Sequence, residues 1–144
     1  MTDYHLTRTA VFVVLERDGK LFFLRRANTR WANGLLTVPA GHVDKGEFVT
    51  EAAVREVMEE AGVEVRPEDL EFVHVDYIKD VYIDFYFKAK KWTGEPTLKE
   101  PNMASEAIWV DKNALPEDVL PQLKKMFAEV ERRKFFSEEE DLPV

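Results

Sequence analysis

Hydrophobic residues along this chain follow two different periods. Between residues 81 and 89 they occupy every second position, with Val81, Ile83, Phe85 and Phe87 on one face, and this alternation predicts a β-strand. Short apolar runs predict further strands at 9–15, 21–25, 35–38, 71–77 and 107–110. An Asp-Gly pair separates the first two runs and predicts a tight hairpin turn between them.

The helical period appears in two other segments. Apolar residues repeat every three or four positions along 50–61 and again along 123–130. Thr50 is the predicted N-cap of the first helix, and Gly62 is its predicted C-cap. Pro116 and Pro121 predict a break before the second helix. The order of strands, helix, strands and helix predicts an α/β fold, a sandwich with a mixed β-sheet.

The composition is typical of a soluble globular protein. The chain has 144 residues, of which 45% are hydrophobic and 33% are charged, enough to bury a core in one domain. We expect that domain to span residues 1–136 and the acidic segment 137–144 to fray. The sequence contains no cysteine, which excludes disulfides and zinc–thiolate sites.

Charge and hydropathy narrow the possible partners. No apolar run approaches the length of a membrane span, and the first residues do not resemble a signal peptide. These features favour a cytoplasmic protein that does not contact a membrane. The net charge of −8 argues against binding to DNA or RNA polymers, which depends on clustered Lys and Arg. A small-molecule nucleotide is compatible with this charge, because a divalent cation can neutralise its phosphates.

Three glutamates are the first sign of a particular chemistry. Glu56, Glu59 and Glu60 are three and four residues apart, so their carboxylates lie on one side of the predicted helix. Carboxylate oxygens without neighbouring imidazole or thiolate groups suit a hard cation, Mg²⁺ first and Mn²⁺ as a substitute. Mg²⁺ usually binds a few carboxylates together with substrate phosphates. The alternative is an ordinary solvated acidic helix face.

A longer pattern surrounds these glutamates. Gly41 is followed after five residues by Glu47, and after seven more by Arg55-Glu56-Val57-Met58-Glu59-Glu60-Ala61-Gly62-Val63. This pattern resembles the Nudix box, G-x5-E-x7-R-E-U-x-E-E-x-G-U with U a bulky aliphatic residue, at every signature position. The resemblance implies the Nudix-type α/β/α sandwich and a metal-dependent hydrolase of nucleoside diphosphates linked to another group.

The resemblance also implies roles for individual residues. Three box glutamates would bind the catalytic metal ions: Glu56, Glu59 and Glu60. Glu47 would support them through water or through Arg55, which orients a glutamate, and the carbonyl of Ala40 would add a main-chain ligand. The chain departs from the family pattern at Ala40, where many members have glycine, and the methyl group limits the backbone angles.

A loop outside the box supplies a further acidic candidate. The segment Trp92–Glu100 resembles a loop of the MutT branch of the family, in which the last glutamate reaches the metal site. Glu100 is therefore a candidate metal ligand and, after Glu56, the second candidate for the general base. The alternative is a solvated loop glutamate. Glu106 is a weaker competitor for the same role.

Four residues are candidates for substrate binding. A MutT-like Arg-Arg-Ala segment favours Arg26 over Arg25 as a phosphate clamp, because successive strand residues point to opposite faces; the alternative is an ordinary strand charge. Asn33 is a candidate for a hydrogen bond to a base, with a simple Asn-Gly turn as the alternative. Trp31 and Tyr77 are candidates for stacking on a base, with a place in the core as the alternative.

The implied reaction is hydrolysis of a phosphoanhydride. The MutT-like segments favour a nucleoside triphosphate, which would yield the monophosphate and pyrophosphate. ADP-ribose, nucleotide sugars and dinucleoside polyphosphates are the alternative substrates. The alternative from another class is a catalytically silent Nudix domain that senses a nucleotide or binds a partner protein. Family members are often homodimers, but no feature of this sequence marks a dimer interface.

Overall fold

The structure, a computed structural model, describes residues 3–142, which form a β-sheet with an α-helix on each face. The elements are β1 (Arg8–Arg17), β2 (Lys20–Arg26), β3 (Leu36–Thr37), β4 (Ala40–His42), α1 (Val49–Ala61), a 3₁₀ turn (Pro67–Asp69), β5 (Leu70–Ile78), β6 (Tyr82–Ala89), β7 (Ala104–Asp111), α2 (Pro121–Glu131) and β8 (Phe136–Glu139). No helix in the described range is long and apolar enough to cross a membrane.

Strand β1 lies at the centre of a forked sheet. One of its edges pairs in parallel with β6 along most of its length, and the other pairs with β4 near its start and with β2 only at its last two residues. Because one strand edge holds one neighbour at a time, β2 leaves β1 soon after the hairpin and pairs with β3 and β7 instead. The hairpin was predicted correctly: Asp18 and Gly19 have φ values of 53° and 76°, as in a type I′ turn.

Each face of the sheet is covered by one helix. Val11, Val13 and Leu15 of β1 pack in the same core as the apolar face of α1, whereas Phe12 and Val14 pack in the core that contains α2. Both faces of β1 are therefore buried, which explains why its sequence is continuously apolar. This arrangement confirms the predicted α/β sandwich with a mixed sheet.

The face of β6 that carries polar residues is also buried, although the alternation suggested one apolar face and one polar face. Asp84 and Tyr86 are only 3% and 1% exposed, and Tyr86 packs with Leu123 and Met126 of α2. The second helix therefore covers a face that carries a carboxylate.

The N-cap of α1 lies two residues before the predicted position. The helix begins at Val49, and Phe48 rather than Thr50 occupies the N-cap position. The backbone N–H of Phe48 donates to Oε1 of Glu51 at 2.8 Å, which is the half of a capping box that does not need a polar side chain at the N-cap. Gly62 ends the helix with a left-handed φ of 72°, as predicted for a C-cap.

The acidic tail also differs from the prediction, because part of it forms a strand. Residues 136–139 form β8, which pairs in parallel with β5. The hydroxyl of Ser137 donates to Asp76 at 2.9 Å and lies 2.8 Å from Nε2 of His74. Both partners are buried side chains of β5, so the tail supplies the hydrogen bonds that they need. The last two tail residues, 143 and 144, lie outside the described part of the chain.

Candidate active site

Arg55 is the centre of an ionic network on α1. Its Nε and Nη2 donate to the two carboxylate oxygens of Glu47 at 2.8 and 2.9 Å, and its Nη1 donates to Glu56 at 2.7 Å. Nη2 also donates to the carbonyl of His42 at 3.0 Å, which ties the helix to β4. The paired guanidinium lowers the pKa of Glu47 to about 2. Arg55 therefore keeps Glu47 charged and holds the carboxylate of Glu56 in position.

Gly41 allows β4 to approach this network closely. A Cβ atom added at Gly41 would lie 2.2 Å from both Cδ and Oε1 of Glu56, far inside van der Waals contact. Glu56 itself is held from the other side by Arg55. A side chain at position 41 would therefore displace the Glu56 carboxylate from its present position.

Glu60 and Glu100 complete an acidic cluster. Burial, and then the nearby Glu56, raises the pKa of Glu60 to about 9, and the N–H of Ala40 donates to Oε2 of Glu60 at 3.3 Å. Burial, followed by the charges of Glu59 and Glu56, raises the pKa of Glu100. The structure therefore brings together all the acids predicted for the site. We name this set the box cluster: Glu47, Glu56, Glu59, Glu60 and Glu100.

The box cluster suits a divalent cation by the chemistry of its donors. Burial and neighbouring carboxylates raise the pKa values of Glu60 and Glu100, and a hard cation beside these two groups would relieve the repulsion. Within residues 3–142, however, no three His, Asp or Glu side chains already converge on one point as metal ligands do. Arg55 instead contacts Glu56 and Glu59. The donors are present and close to one another, but they are not preassembled around an ion.

Arg26 lies where the box cluster meets a cavity. It lines a small pocket together with Glu60 and Glu100, and it also lines a neighbouring cavity of about 330 Å³. Its Nε donates to the carbonyl of Trp31 at 2.9 Å, and its guanidinium carbon lies 5.3 Å from the centre of the Trp31 ring. Arg26 is therefore positioned between the acids and the larger cavity.

Arg25 points to the other face of the same strand. Its guanidinium donates to Glu106 at 2.8 Å and to Asp118 at 2.7 Å, and also to the carbonyl of Gly34 at 2.8 Å. These contacts hold the loop after β2 in place. They also occupy Glu106, which the structure does not bring into the box cluster.

The larger cavity, which we name the ring cavity, lies between the two branches of the sheet. Phe12, Trp31 and Tyr82 contribute aromatic walls, and Ala40 and Gly41 form the border with the box cluster. Asp84 and Gln122 also line it. The site thus combines an acidic surface with an adjoining apolar compartment that contains a few polar groups, as is usual for small-molecule sites.

A sequence profile of the NUDIX domain matches residues 5–130, a range that contains the whole box cluster and the walls of the ring cavity named above. The chain belongs to the Nudix family. The prediction from the box pattern is therefore confirmed, and the protein is a Nudix hydrolase similar to MutT.

Individual relatives agree with this assignment. The Nudix chain is 28% identical over 120 residues to an 8-oxo-dGTP diphosphatase of Haemophilus influenzae, covering 83% of this chain and 86% of the relative. It is 30% identical to the 8-oxo-dGTP diphosphatase of Escherichia coli, covering 85% and 95% of the two chains. It is also 34% identical to an ADP-ribose pyrophosphatase of Methanocaldococcus jannaschii, covering 75% of this chain and 64% of that one.

Solved structures share the fold. A MutT Nudix hydrolase from Burkholderia pseudomallei superposes with a TM-score of 0.77 at 24% identity, covering 87% of this chain and 98% of that one. A MutT protein from Methanosarcina mazei gives a TM-score of 0.72 at 22% identity, with coverage of 92% and 98%.

Two predicted substrate-binding residues of this Nudix hydrolase do not line the ring cavity. The amide of Asn33 is used inside its own loop, where Oδ1 accepts from the N–H of Thr29 and Nδ2 donates to the Thr29 carbonyl, each at 2.9 Å. Tyr77 lies in β5 opposite Ile83 of β6 and is absent from the cavity lining. The geometry of Asn33 is that of a turn residue, the alternative considered for it.

Two polar residues of β6 that line the ring cavity, Tyr82 and Asp84, were not predicted as site residues from the sequence. The hydroxyl of Tyr82 lies 2.8 Å from Nε2 of His42, and the two rings stack with centres 5.5 Å apart. Asp84 follows two residues later on the same face of β6. The alternating pattern of residues 81–89 already indicated that Tyr82 and Asp84 point to the same side of the strand. Only the structure shows that this side faces a cavity.

Proposed function

We propose that this Nudix hydrolase is a divalent-metal-dependent nucleotide pyrophosphohydrolase. Its favoured substrate is a nucleoside triphosphate, which it cleaves to the monophosphate and pyrophosphate. The observation that carries this proposal is the shared border of the box cluster and the ring cavity at Ala40, Gly41 and Arg26. A base in the ring cavity would leave its phosphates beside the carboxylates. The names of the two diphosphatase relatives support the same substrate class.

The acidic charge of the site requires a cation for phosphate binding. We propose that Mg²⁺, with Mn²⁺ as a substitute, is held by Glu56, Glu59 and Glu60, with contributions from Glu100 and the carbonyl of Ala40. When bound, such a cation neutralises phosphate charge and lowers the pKa of a coordinated water. Arg26 supplies a further positive charge at the cavity border and would contact a phosphate there.

The reaction needs one proton acceptor. A water oxygen bonds to phosphorus, the bond between phosphorus and the bridging oxygen breaks, and pyrophosphate leaves with that oxygen. A carboxylate takes the proton of the attacking water. One carboxylate oxygen of Glu56 already accepts a hydrogen bond of 2.7 Å from Arg55, whereas no cationic side chain of the described residues lowers the pKa of Glu100. We therefore favour Glu100 over Glu56 as the general base.

The proposal is tested by a substrate panel in Mg²⁺ and then in Mn²⁺. The panel contains NTPs, dNTPs, 8-oxo-dGTP, ADP-ribose, nucleotide sugars and dinucleoside polyphosphates, with phosphate and pyrophosphate assayed separately. We expect pyrophosphate without free phosphate from a triphosphate, and complete loss of activity in EDTA. Activity that persists in EDTA, or free phosphate as the direct product, would contradict the proposal. No turnover of any compound, together with nucleotide-induced thermal stabilisation, would favour a nucleotide sensor.

A further inference from the structure

The loop before β7 is attached to the C-terminal end of α1. We name residues 94–103 the capping loop. The N–H of Thr97 donates to the carbonyl of Ala61 at 3.0 Å, and the N–H of Lys99 donates to the carbonyl of Glu60 at 3.3 Å. Carbonyls of the last helical turn have no partner within their own helix. The capping loop therefore supplies two of the hydrogen bonds that this helix end needs.

A side chain of the capping loop lies directly on the glycine that ends the helix. A Cβ atom added at Gly62 would lie 2.8 Å from both Cγ and Cδ of Lys99 and 3.2 Å from its Cε. The side-chain stem of Lys99 therefore rests against the bare backbone of Gly62. Within its described residues, α1 has no basic side chain in its last turn. Lys99 brings an apolar stem and a positive charge to this helix end, where a cation is favourable.

The capping loop also holds Glu100 among like charges. Glu100 directly follows Lys99, and its carbonyl accepts from the N–H of Ala104 at 3.1 Å. Burial, followed by the charges of Glu59 and Glu56, raises the pKa of its carboxyl group. Repulsion between these carboxylates favours movement of Glu100 away from α1. A backbone attachment is therefore needed to keep it there.

We propose that the contact between Lys99 and Gly62 positions Glu100 in the box cluster. Lys99 is a positioning residue, because it anchors the capping loop to the end of α1, and the loop keeps the carboxylate of Glu100 beside Glu56 and Glu59. Gly62 has a second role besides ending the helix, since any side chain at this position would displace the stem of Lys99. This inference rests on the proposed function, in which Glu100 is the general base and contributes to metal binding.

The first test separates the contact from backbone strain. In Gly62→Ala the new methyl group collides with Lys99 and also strains a left-handed φ of 72°. We expect kcat to fall by roughly 10–100-fold with little change in KM, because a general base that is misplaced by about 1 Å loses much of its effect. Gly62→Ala/Lys99→Ala keeps the strain but removes the collision, so its kcat should return to that of Lys99→Ala alone.

Gly19→Ala is the matched control for strain. Its φ of 76° is also left-handed, but no atom of the described residues lies within 4 Å of the added Cβ. The Tm should fall in both Gly19→Ala and Gly62→Ala, whereas kcat should fall only in Gly62→Ala. Equal kcat values in these two variants would overturn the proposed contact.

Variants of Lys99 separate packing from charge. Lys99→Ala removes the stem and should lower kcat by about three- to tenfold, whereas Lys99→Met keeps a long apolar stem without the charge and should retain the wild-type kcat. If Lys99→Met is as slow as Lys99→Ala, the contact with Gly62 is not what matters. In a Glu100→Gln background, Lys99→Ala should lower kcat no further, because Lys99 acts through Glu100. A further loss of the same size in that background would contradict the positioning role.

Two measurements test the anchoring without turnover. In the metal-free protein, the N–H groups of Thr97 and Lys99 should exchange with deuterium faster in Gly62→Ala than in the wild type and in Gly19→Ala. Lys99→Met should protect the Thr97 N–H as the wild type does. Binding of Mn²⁺, followed by EPR, should weaken in Gly62→Ala, because Glu100 contributes to the proposed metal site. Unchanged exchange and unchanged Mn²⁺ affinity would show that the contact does not anchor the loop.

The outcomes separate this inference from the proposed function. If the wild type hydrolyses nucleotides and both Gly62→Ala and Lys99→Ala keep its kcat, the positioning role is wrong and the hydrolase proposal stands. If no nucleotide is hydrolysed but amide exchange and Mn²⁺ binding change as expected, the proposed function alone is overturned. If Gly62→Ala does not fold, the comparison of Lys99→Ala with Lys99→Met decides.

Discussion

The surroundings of Arg55 and the region below α2 use the same chemical group in opposite ways. In the box cluster, Arg55 pairs with Glu47 and keeps that carboxylate charged, with a pKa of about 2. In the region below α2, burial and then Glu139 raise the pKa of Asp76 to about 7, and burial with Asp76 does the same for Asp84. The difference shows that a counter-charge, rather than residue type, decides whether a carboxylate serves as a charge or as a neutral hydrogen-bonding group.

Removing one carboxylate of the box cluster should have the largest effect. We expect Glu60→Gln to lower kcat/KM by about 10²–10³-fold, because a lost metal ligand weakens stabilisation of the transition state. The apo protein should keep its Tm, since a pKa of about 9 already leaves Glu60 protonated at neutral pH. Steady-state kinetics and thermal unfolding check both statements. Glu71→Gln, an exposed glutamate of β5, is the control, and unchanged kinetics in Glu60→Gln would refute the metal assignment.

Exchanging the arginine of the box cluster should have the next largest effect. Arg55→Lys keeps the positive charge but cannot donate in the bidentate manner seen with Glu47. We expect the Mg²⁺ concentration for half-maximal activity to rise by roughly 10–100-fold, the usual cost of losing a residue that orients metal ligands. Titration of activity with Mg²⁺ measures this shift. If Arg55→Lys needs the same Mg²⁺ concentration as the wild type, a positive charge at position 55 is sufficient, and Arg55 does not act by orienting the glutamates.

The buried acids predict a characteristic pH dependence of stability. Below about pH 4 the aspartates are protonated in both the folded and unfolded chain. As the pH rises towards 7, the unfolded chain releases these protons while the folded chain retains them, so the free energy of unfolding falls. Between about pH 4 and pH 7, the free energy of unfolding of Asp84→Asn should fall by on the order of 2 kcal/mol less than that of the wild type. Urea unfolding of both proteins at pH 4–8 gives the difference, and parallel curves would contradict the raised pKa.

Closing the gap beside Glu56 should have a smaller effect. Gly41→Ala would force the Glu56 carboxylate aside, because the added Cβ would lie 2.2 Å from it. A flexible side chain can move, so we expect roughly a tenfold rise in the required Mg²⁺ concentration rather than unfolding. Gly19→Ala is the contrasting control: it strains a φ of 76° in open space and should lower stability while activity is retained. Equal Mg²⁺ requirements for Gly41→Ala and the wild type would show that the close approach is unimportant.

Two tyrosines give the smallest expected effects. Tyr82→Phe removes a hydroxyl that lies 2.8 Å from His42 at the ring cavity, and KM should rise by about three- to tenfold. Tyr77→Phe should leave KM unchanged, because Tyr77 does not line that cavity. If Tyr77→Phe raised KM and Tyr82→Phe did not, the original prediction that Tyr77 contacts the base would be supported instead.

The sequence determined the parts of this protein that depend on local spacing. Gly41, Glu47 and residues 55–63 predicted the family and every acid of the box cluster except Glu100, because residues three and four apart on a helix share a face whatever surrounds them. The Asp18-Gly19 turn and the Gly62 cap depend on single backbone conformations. These too could be predicted from the residues alone.

Tertiary structure decided the parts that depend on which distant elements meet. Asp84, Gln122 and Tyr82 face one cavity because β1 forks and α2 covers β6, and β8 forms because His74 and Asp76 need hydrogen-bond partners when buried. Asn33 turned into its own loop rather than into the cavity. Burial, hydrogen-bond satisfaction and the choice of strand neighbours are properties of the whole packed chain, so no local pattern specifies them.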